Sequence, residues 1–256
     1  MTQAERRIFL IKYLLGESDR YSDIHVPRGA SEQRTLLRSL MNVRAPGEAS
    51  EEFIKIQDEY LKHGIEAKGI TDASALPLAE DGICLWQGDI TTLRCGAVVN
   101  AANSAMLGCF VPCHKCIDNA IHTFAGIGLR LECAEIMRRQ GFAEQTGTAK
   151  ITRAYNLPSD YILHTVGPVV NGGLTERHFR LLAACYESCF DLAEKNGIKS
   201  IAFPCISTGE FRFPNAQAAE TAVETVRNCM KNTVVERVIF NVFKDEDRIL
   251  YSRLLG

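Results

Sequence analysis

Three cysteines and one histidine lie within eight residues of this chain, in the segment Cys109-Phe-Val-Pro-Cys-His-Lys-Cys116, which we call the cysteine loop. Thiolate and imidazole groups are preferred ligands of Zn²⁺, and a catalytic zinc keeps three protein ligands and one open position. Cys109, His114 and Cys116 fit that rule. Pro112 opposes a helix through the segment, so the three side chains can converge from an irregular loop. We therefore predict one Zn²⁺ per chain at this loop.

Cys113 is the open question within the cysteine loop. As a fourth ligand it would close the coordination shell and make the site structural, whereas without it the site stays open. The alternative to any metal is that these thiols are small buried hydrophobic side chains, as free cysteines commonly are.

The overall charge argues against two classes of partner. The chain has 29 Lys and Arg against 31 Asp and Glu, so no positive field favours a nucleic acid or an anionic membrane surface. Its N-terminal apolar run, Ile8–Leu15, is interrupted by Lys12 and has no cleavage site behind it. We expect neither a signal peptide nor a membrane span, and we expect a cytoplasmic protein whose ten cysteines stay reduced.

Helical spacing of apolar residues dominates the first 80 residues. The predicted helices there are Ala4–Leu15, Ser31–Met41 and a third that runs to Lys62 with Ser50 as its N-cap. Residues 70–81 are rich in small, turn-favouring residues and are predicted to be a linker. The chain therefore divides into a helical extension, residues 1–80, and a larger domain, residues 81–256.

The larger domain alternates short β-rich runs with helical ones, which predicts an α/β fold with a sheet covered on both faces. The predicted strands are Ile83–Trp86, Ala97–Val99, Ala149–Ala154, Tyr161–Val166, Ser200–Phe203 and Val235–Phe243. The predicted helices are Ile117–Arg139, Thr175–Lys195, Asn215–Lys231 and Asp245–Leu254. Ligands of such sheets bind at the carboxyl ends of the strands. This draws attention to Ser207-Thr-Gly-Glu-Phe-Arg-Phe213, the second loop, where Gly209 allows backbone amides to approach an anion.

Seven short motifs, spread in order over residues 83–256, together resemble the macrodomain family. They are Gln87-Gly-Asp-Ile-Thr91, Val98-Val-Asn-Ala-Ala-Asn103, Cys116-Ile-Asp-Asn-Ala-Ile-His-Thr-Phe-Ala-Gly126, Thr146-Gly-Thr-Ala149, His164-Thr-Val-Gly-Pro168, Phe203-Pro-Cys-Ile-Ser-Thr-Gly-Glu-Phe-Arg-Phe-Pro214 and Arg237-Val-Ile-Phe240. The cysteine loop replaces the glycine-rich loop that most hydrolytic members have. It resembles the Cys-x4-His-x-Cys loop of the zinc-dependent bacterial and fungal branch.

This resemblance implies a three-layer α/β/α macrodomain with a mixed central sheet, preceded by a small helical N-terminal region. It also implies a zinc-dependent hydrolase that removes mono-ADP-ribose from modified protein side chains, with O-linked acidic residues as the expected attachment and ADP-ribose as the product. Members are often linked to a sirtuin-type ADP-ribosyl transferase. The alternative is a reader that binds ADP-ribose without cleaving it and uses zinc only to stiffen the loop.

The resemblance also implies roles for single residues. Asp89 would accept a hydrogen bond from the adenine amino group, with the backbone amide of Ile90 nearby, although an Asp at such a place can simply cap a turn. Asn103 would contact the distal ribose, and Asp118 would orient water or act as a base, or else complement the dipole of its helix. The remaining expected ligand contacts are Ser207, Thr208, Gly209, Glu210 and Phe211. We expect His122 and His164 to be hydrogen-bonded structural residues, and Phe213 to lie in the core.

Overall fold

A computed structural model describes all 256 residues. The chain begins with three helices, which we call the N-terminal unit: α1, Gln3–Gly16; α2, Ala30–Val43; and α3, Glu51–Lys68. Apolar residues from all three helices pack into one core, together with Ile127 from later in the chain. The Ser50 hydroxyl accepts a hydrogen bond from the Phe53 backbone N–H, which confirms the predicted N-cap. The helix that it caps is longer than predicted.

The rest of the chain is built on a seven-stranded sheet with the order β2-β3-β9-β8-β5-β7-β6. Its strands are β2, Leu78–Glu80; β3, Ile83–Gln87; β5, Ala97–Ala102; β6, Ala149–Arg153; β7, Tyr161–Val166; β8, Ser200–Phe203; and β9, Arg237–Val242. A separate two-stranded parallel sheet pairs β1, Thr71–Asp72, with β4, Leu93–Arg94. The five inner strands run parallel, whereas the edge strands β2 and β6 run antiparallel to their neighbours. The sheet is therefore mixed, as predicted.

Helices cover both faces of this sheet. Neighbouring residues of a strand point to opposite faces, so they pack under different helices. The helices are α4, Ile117–Ala125; α5, Ile127–Gln140; α6, Glu176–Asn196; α7, Asn215–Cys229; and α8, Asp245–Leu255. Val238 and Phe240 of β9 pack under α6, α7 and α8, whereas Ile239 between them packs under α4 and α5. The predicted three-layer α/β/α fold is confirmed. None of the helices is both long and apolar enough to cross a bilayer.

Two predictions of local structure were wrong. Residues 70–81 are not a free linker, because they contain β1 and the edge strand β2. The helix predicted over Ile117–Arg139 is two helices, which break at Gly126 with φ +96°. Gln57 of α3 stabilises the break by accepting a hydrogen bond from the Ile127 N–H at 2.9 Å. The two errors differ in cause, because β2 pairs with the adjacent strand β3, whereas the helix break depends on Gln57, 70 positions away.

Arg130 of α5 joins the N-terminal unit to the rest of the chain. Its buried guanidinium donates to the carbonyl oxygens of Met41 and Asn42, both at 3.0 Å, and to that of Arg44. It also donates to the Leu107 carbonyl at 2.8 Å, just before the cysteine loop. One side chain thus satisfies backbone acceptors on both sides of the boundary.

We expect the substitution Arg130→Met to lower the free energy of unfolding by about 3 kcal/mol, because it leaves several buried carbonyls without a donor. Urea denaturation checks this. Arg138→Ala is the matched control on the same helix, since that side chain is exposed and pairs only with Glu135, and its midpoint should stay near wild type. Equal midpoints for the two variants would contradict the assignment.

Candidate active site at the carboxyl edge of the sheet

The cysteine loop brings its three predicted ligand atoms together. The side-chain ligand atoms of Cys109, His114 and Cys116 all lie within 4.8 Å of one another, and Cys109 Sγ is 3.6 Å from His114 Nδ1. Burial raises the pKa of the Cys116 thiol to about 12, and Cys109 beside it adds to this rise. Two thiols and an imidazole at this spacing suit a tetrahedral Zn²⁺.

Cys113 points away from this group. Its Sγ lies 3.3 Å from Ser39 Oγ, and its backbone N–H donates to Asn42 Oδ1 at 2.9 Å. Cys113 also has φ +53°, a left-handed conformation that turns the chain between the ligands. The structure therefore groups Cys109, His114 and Cys116 without Cys113.

Asn119, which the sequence analysis missed, holds the backbone of the cysteine loop. Its buried amide donates to the carbonyl oxygens of Cys109, at 3.3 Å, and Val111, at 3.0 Å. Its own backbone N–H is directed at Cys116 Sγ, 3.4 Å away, because Cys116 is the N-cap of α4. An Asn in the first turn of a predicted helix is the only sequence signal that could have indicated this role.

The two residues predicted to be catalytic, Asn103 and Asp118, are hydrogen-bonded to each other. Asn103 donates to Asp118 Oδ2 at 3.1 Å, and also to the Gly108 carbonyl at 3.1 Å. Asn100, three residues earlier on β5, donates to Asp118 Oδ1 at 2.8 Å. Burial raises the pKa of Asp118 to about 6, although the hydrogen bonds that it accepts act in the opposite direction. Asp118 also stands in the first turn of α4, so its helix-dipole role and its role in the site are compatible.

The two buried histidines differ. His164 is a hydrogen-bonded structural residue, as predicted, with Asn100 Nδ2 3.1 Å from Nδ1 and Thr152 Oγ1 2.9 Å from Nε2. Burial lowers its pKa to about 3, so the ring is neutral. His122 has no hydrogen-bond partner, which was not expected, and its Nε2 faces Asp118 Oδ1 at 3.6 Å. Cys133 also lies near both rings, but the ring nitrogens of His164 are already engaged, and we assign no metal to this group.

The second loop presents a row of free backbone donors. None of the N–H groups of residues 207–211 donates to a protein acceptor. Successive free N–H groups in a turn form an anion-binding concavity, which suits a diphosphate. Glu210 of this loop reaches across to the cysteine loop, where its Oε1 lies 3.4 Å from His114 Nε2. The two predicted loops therefore lie next to each other.

Asp89 lies at the same edge of the sheet, after β3. Its Oδ1 accepts hydrogen bonds from the N–H and the hydroxyl of Thr91, and its Oδ2 accepts from Lys68 Nζ at 2.9 Å. Burial raises the pKa of Asp89, but the hydrogen bonds from Lys68 and Thr91 outweigh it and leave the pKa below its usual value. Asp89 thus caps the turn, as the alternative interpretation held, and remains a partly exposed acceptor. Ile90 beside it is buried.

The second loop is packed closely against the turn after β7. A Cβ on Gly167 would clash with Ser207 Oγ and lie 2.9 Å from the side chain of Ile206. The Ser207 hydroxyl is buried without a partner, and Ser207 has φ +67°. Phe211 is partly buried against the cluster of Ala102, Met106 and Val166, whereas Phe213 is in the core, as predicted. Gly167 is therefore needed for the shape of the second loop.

We expect Gly167→Ala to lower the free energy of unfolding by about 1–3 kcal/mol, because the added methyl group overpacks this contact. Urea denaturation measures the effect. Gly173→Ala is the control in the same connection, since nothing lies within 4 Å of its Cβ position, and it should stay within about 0.5 kcal/mol of wild type. An undiminished stability for Gly167→Ala would mean that the two segments are not in contact.

Comparisons with known proteins agree with this geometry. The family model described as Macro domain matches residues 99–222. A relative from Treponema medium, named protein-ADP-ribose hydrolase, is 56% identical over 261 residues and aligns over 100% of both chains. A relative of the same name from Staphylococcus aureus is 46% identical over 94% of this chain and 93% of its own. A mutant Oceanobacillus iheyensis macrodomain with ADPR is similar in structure, with a TM-score of 0.64 and 34% identity over 70% of this chain and 95% of that one. This chain belongs to the macrodomain family.

Proposed function

We propose that this chain is a protein-ADP-ribose hydrolase that removes mono-ADP-ribose from modified protein side chains. The observation that carries the proposal is the position of the cysteine loop. His114, one of its three potential metal ligands, lies 3.4 Å from Glu210 on the loop with free backbone donors. A nucleotide diphosphate held by the second loop would thus have its far end beside the three ligands.

Three parts of the site would bind three parts of ADP-ribose. Asp89, which follows β3 at the carboxyl edge of the sheet, offers its carboxylate oxygens to the adenine amino group. The free N–H groups of residues 207–211 suit the diphosphate, and Phe211 offers an apolar surface to the distal ribose. Asn103 and Asp118 lie at the exit of β5, next to the cysteine loop. The distal ribose would therefore be placed where reactive groups are most concentrated.

Cys109, His114 and Cys116 would hold one Zn²⁺, and their donor set fits that ion. Three ligands leave one coordination position for substrate or water, which is the arrangement of a catalytic site. Zn²⁺ bound there would supply Lewis-acid polarisation of a substrate oxygen, or lower the pKa of water toward neutrality. The open shell favours the hydrolase over a reader with a purely structural zinc.

Asp118 and Asn103 would position the reacting groups. Asn100 and Asn103 hold the two oxygens of the Asp118 carboxylate, so its orientation is defined before substrate arrives. In its ionised form the carboxylate accepts a hydrogen bond from a water molecule or a ribose hydroxyl and can take up its proton. The products would be ADP-ribose and the unmodified side chain.

The finer chemistry of the substrate belongs to the same proposal. An O-linked ADP-ribose on an acidic residue is the expected attachment, because a carboxylate is a good leaving group. A functional link to a sirtuin-type ADP-ribosyl transferase stays a prediction that rests on the family resemblance.

We expect Cys116→Ala and His114→Ala to lower the rate of ADP-ribose release from a modified protein by at least about a hundredfold, because each removes one of the three metal ligands. Cys229→Ala, on α7 outside the site, is the control and should keep the wild-type rate. Calorimetric titration with ADP-ribose should show that the slow variants still bind ligand. An unchanged rate of ADP-ribose release by Cys116→Ala would contradict the metal-dependent mechanism. If the wild type binds ADP-ribose but releases none from the modified protein, the chain is a reader.

We expect Co²⁺ to report the two thiolate ligands directly. At saturating Co²⁺, Cys109→Ala and Cys116→Ala should each lose one thiolate's share of the charge-transfer absorption, whereas Cys113→Ala should keep the wild-type intensity. Loss of intensity in Cys113→Ala would mean that the shell is closed, and this would favour the reader.

A further inference from the structure

The face of α2 that does not pack into the core of the N-terminal unit is directed at the cysteine loop. Thr35, Arg38, Ser39 and Asn42 follow helical spacing along this face, and all four contact residues of the loop or of α4 behind it. The buried residues of α2, such as Leu37 and Leu40, lie on its other side. The polar face therefore has a specific partner within the same chain.

Cys113 is the point at which the loop is attached. Its Sγ contacts Ser39 Oγ at 3.3 Å and the Thr35 carbonyl at 3.6 Å, and its N–H donates to Asn42 Oδ1 at 2.9 Å. Asn42, fully buried, also donates to Thr123 of α4 at 2.8 Å. The cysteine that takes no part in the ligand group thus ties the middle of the loop to α2.

Arg38 holds the loop in two ways, directly and through Asn119. Its Nη2 donates to the carbonyl oxygen of His114, at 3.0 Å, and to Asn119 Oδ1, at 2.8 Å. An arginine can only donate, so this contact fixes which end of the Asn119 amide faces α2. The amide NH₂ is thereby directed at the carbonyls of Cys109 and Val111. The backbone position of two of the three ligand residues therefore depends on one guanidinium.

We propose that the N-terminal unit holds the cysteine loop in its metal-binding conformation, with Arg38 as the main positioning residue. This rests on the proposed function only in taking Cys109, His114 and Cys116 as metal ligands. In an irregular loop, ordering the ligand side chains before the ion binds lowers the conformational-entropy cost of binding. Residues that orient ligands in this way typically change metal affinity by 10–100-fold when they are lost.

The test is the affinity of the full-length chain for Zn²⁺, measured by competition with a chromophoric chelator. We expect Arg38→Ala to bind Zn²⁺ at least about tenfold more weakly than wild type. Ser39→Ala removes only the contact to Cys113 and should give a smaller loss in the same direction. Arg34→Ala is the matched control, one turn earlier on α2, because this side chain is exposed and makes no hydrogen bond; its affinity should equal that of wild type.

A second measurement separates positioning from general stability. The melting temperature of each variant is recorded without metal and with saturating Zn²⁺, and the difference is the stabilisation by the ion. A residue with only a structural role lowers both values equally, whereas we expect Arg38→Ala to reduce the difference. Should Arg38→Ala fail to fold, Ser39→Ala decides the matter on both readouts.

The outcomes distinguish this proposal from the proposed function. The positioning role would be overturned, and the metal site left intact, if Arg38→Ala had the zinc affinity and zinc stabilisation of wild type. If Arg38→Ala does not fold, the same result in Ser39→Ala would overturn it. Failure of the wild-type chain itself to bind Zn²⁺ would overturn the metal site, and the positioning role with it. Weaker zinc binding by Arg38→Ala with unchanged affinity for ADP-ribose supports both.

Discussion

The cysteine loop must hold two thiols and an imidazole close together on a backbone that forms no regular structure. Within the loop the backbone forms one hydrogen bond of its own, from the His114 N–H to the Val111 carbonyl, so most of its conformation must be fixed by other groups. Side chains from elsewhere in the chain solve this problem. They are Arg130, which donates to Leu107; Asn103, which donates to Gly108; Asn119, which donates to Cys109 and Val111; and Arg38, which donates to His114. The arrangement of Cys109, His114 and Cys116 is therefore set together by donors from the turn after β5, from α4 and α5, and from the N-terminal unit.

The parallel strands explain why these donors can meet. Because β3, β5, β7 and β8 run in the same direction, Asp89, Asn103, Gly167 and the second loop all leave the sheet at one edge. Each loop then contributes a different interaction: a carboxylate, an amide, a tight turn and a row of free N–H groups. A long, charged nucleotide matches this sequence of interactions along the edge.

The N-terminal unit contacts the proposed site at two places. Lys68, at the end of α3, pairs with Asp89 at 2.9 Å, while α2 contacts the cysteine loop. The unit shares the layer of α4 and α5, since Ile65 of α3 packs into the same core as Ile121 and Leu129. Its helices thus touch the residues assigned to both ends of the ligand.

The sequence by itself determined the identity and spacing of the chemical groups and most of the regular elements. Strand and helix periodicity, the Ser50 cap and the Cys-His-Cys spacing are local properties, which residues a few positions apart define. Tertiary structure alone decided that Cys113 faces Ser39, that the helix breaks at Gly126 beside Gln57, and that Asn119 and Arg38 hold the loop. The contacts of Ser39, Gln57 and Arg38 join residues about 70 to 80 positions apart. No local pattern encodes them, and only the packing of the N-terminal unit on the α/β/α domain brings them together.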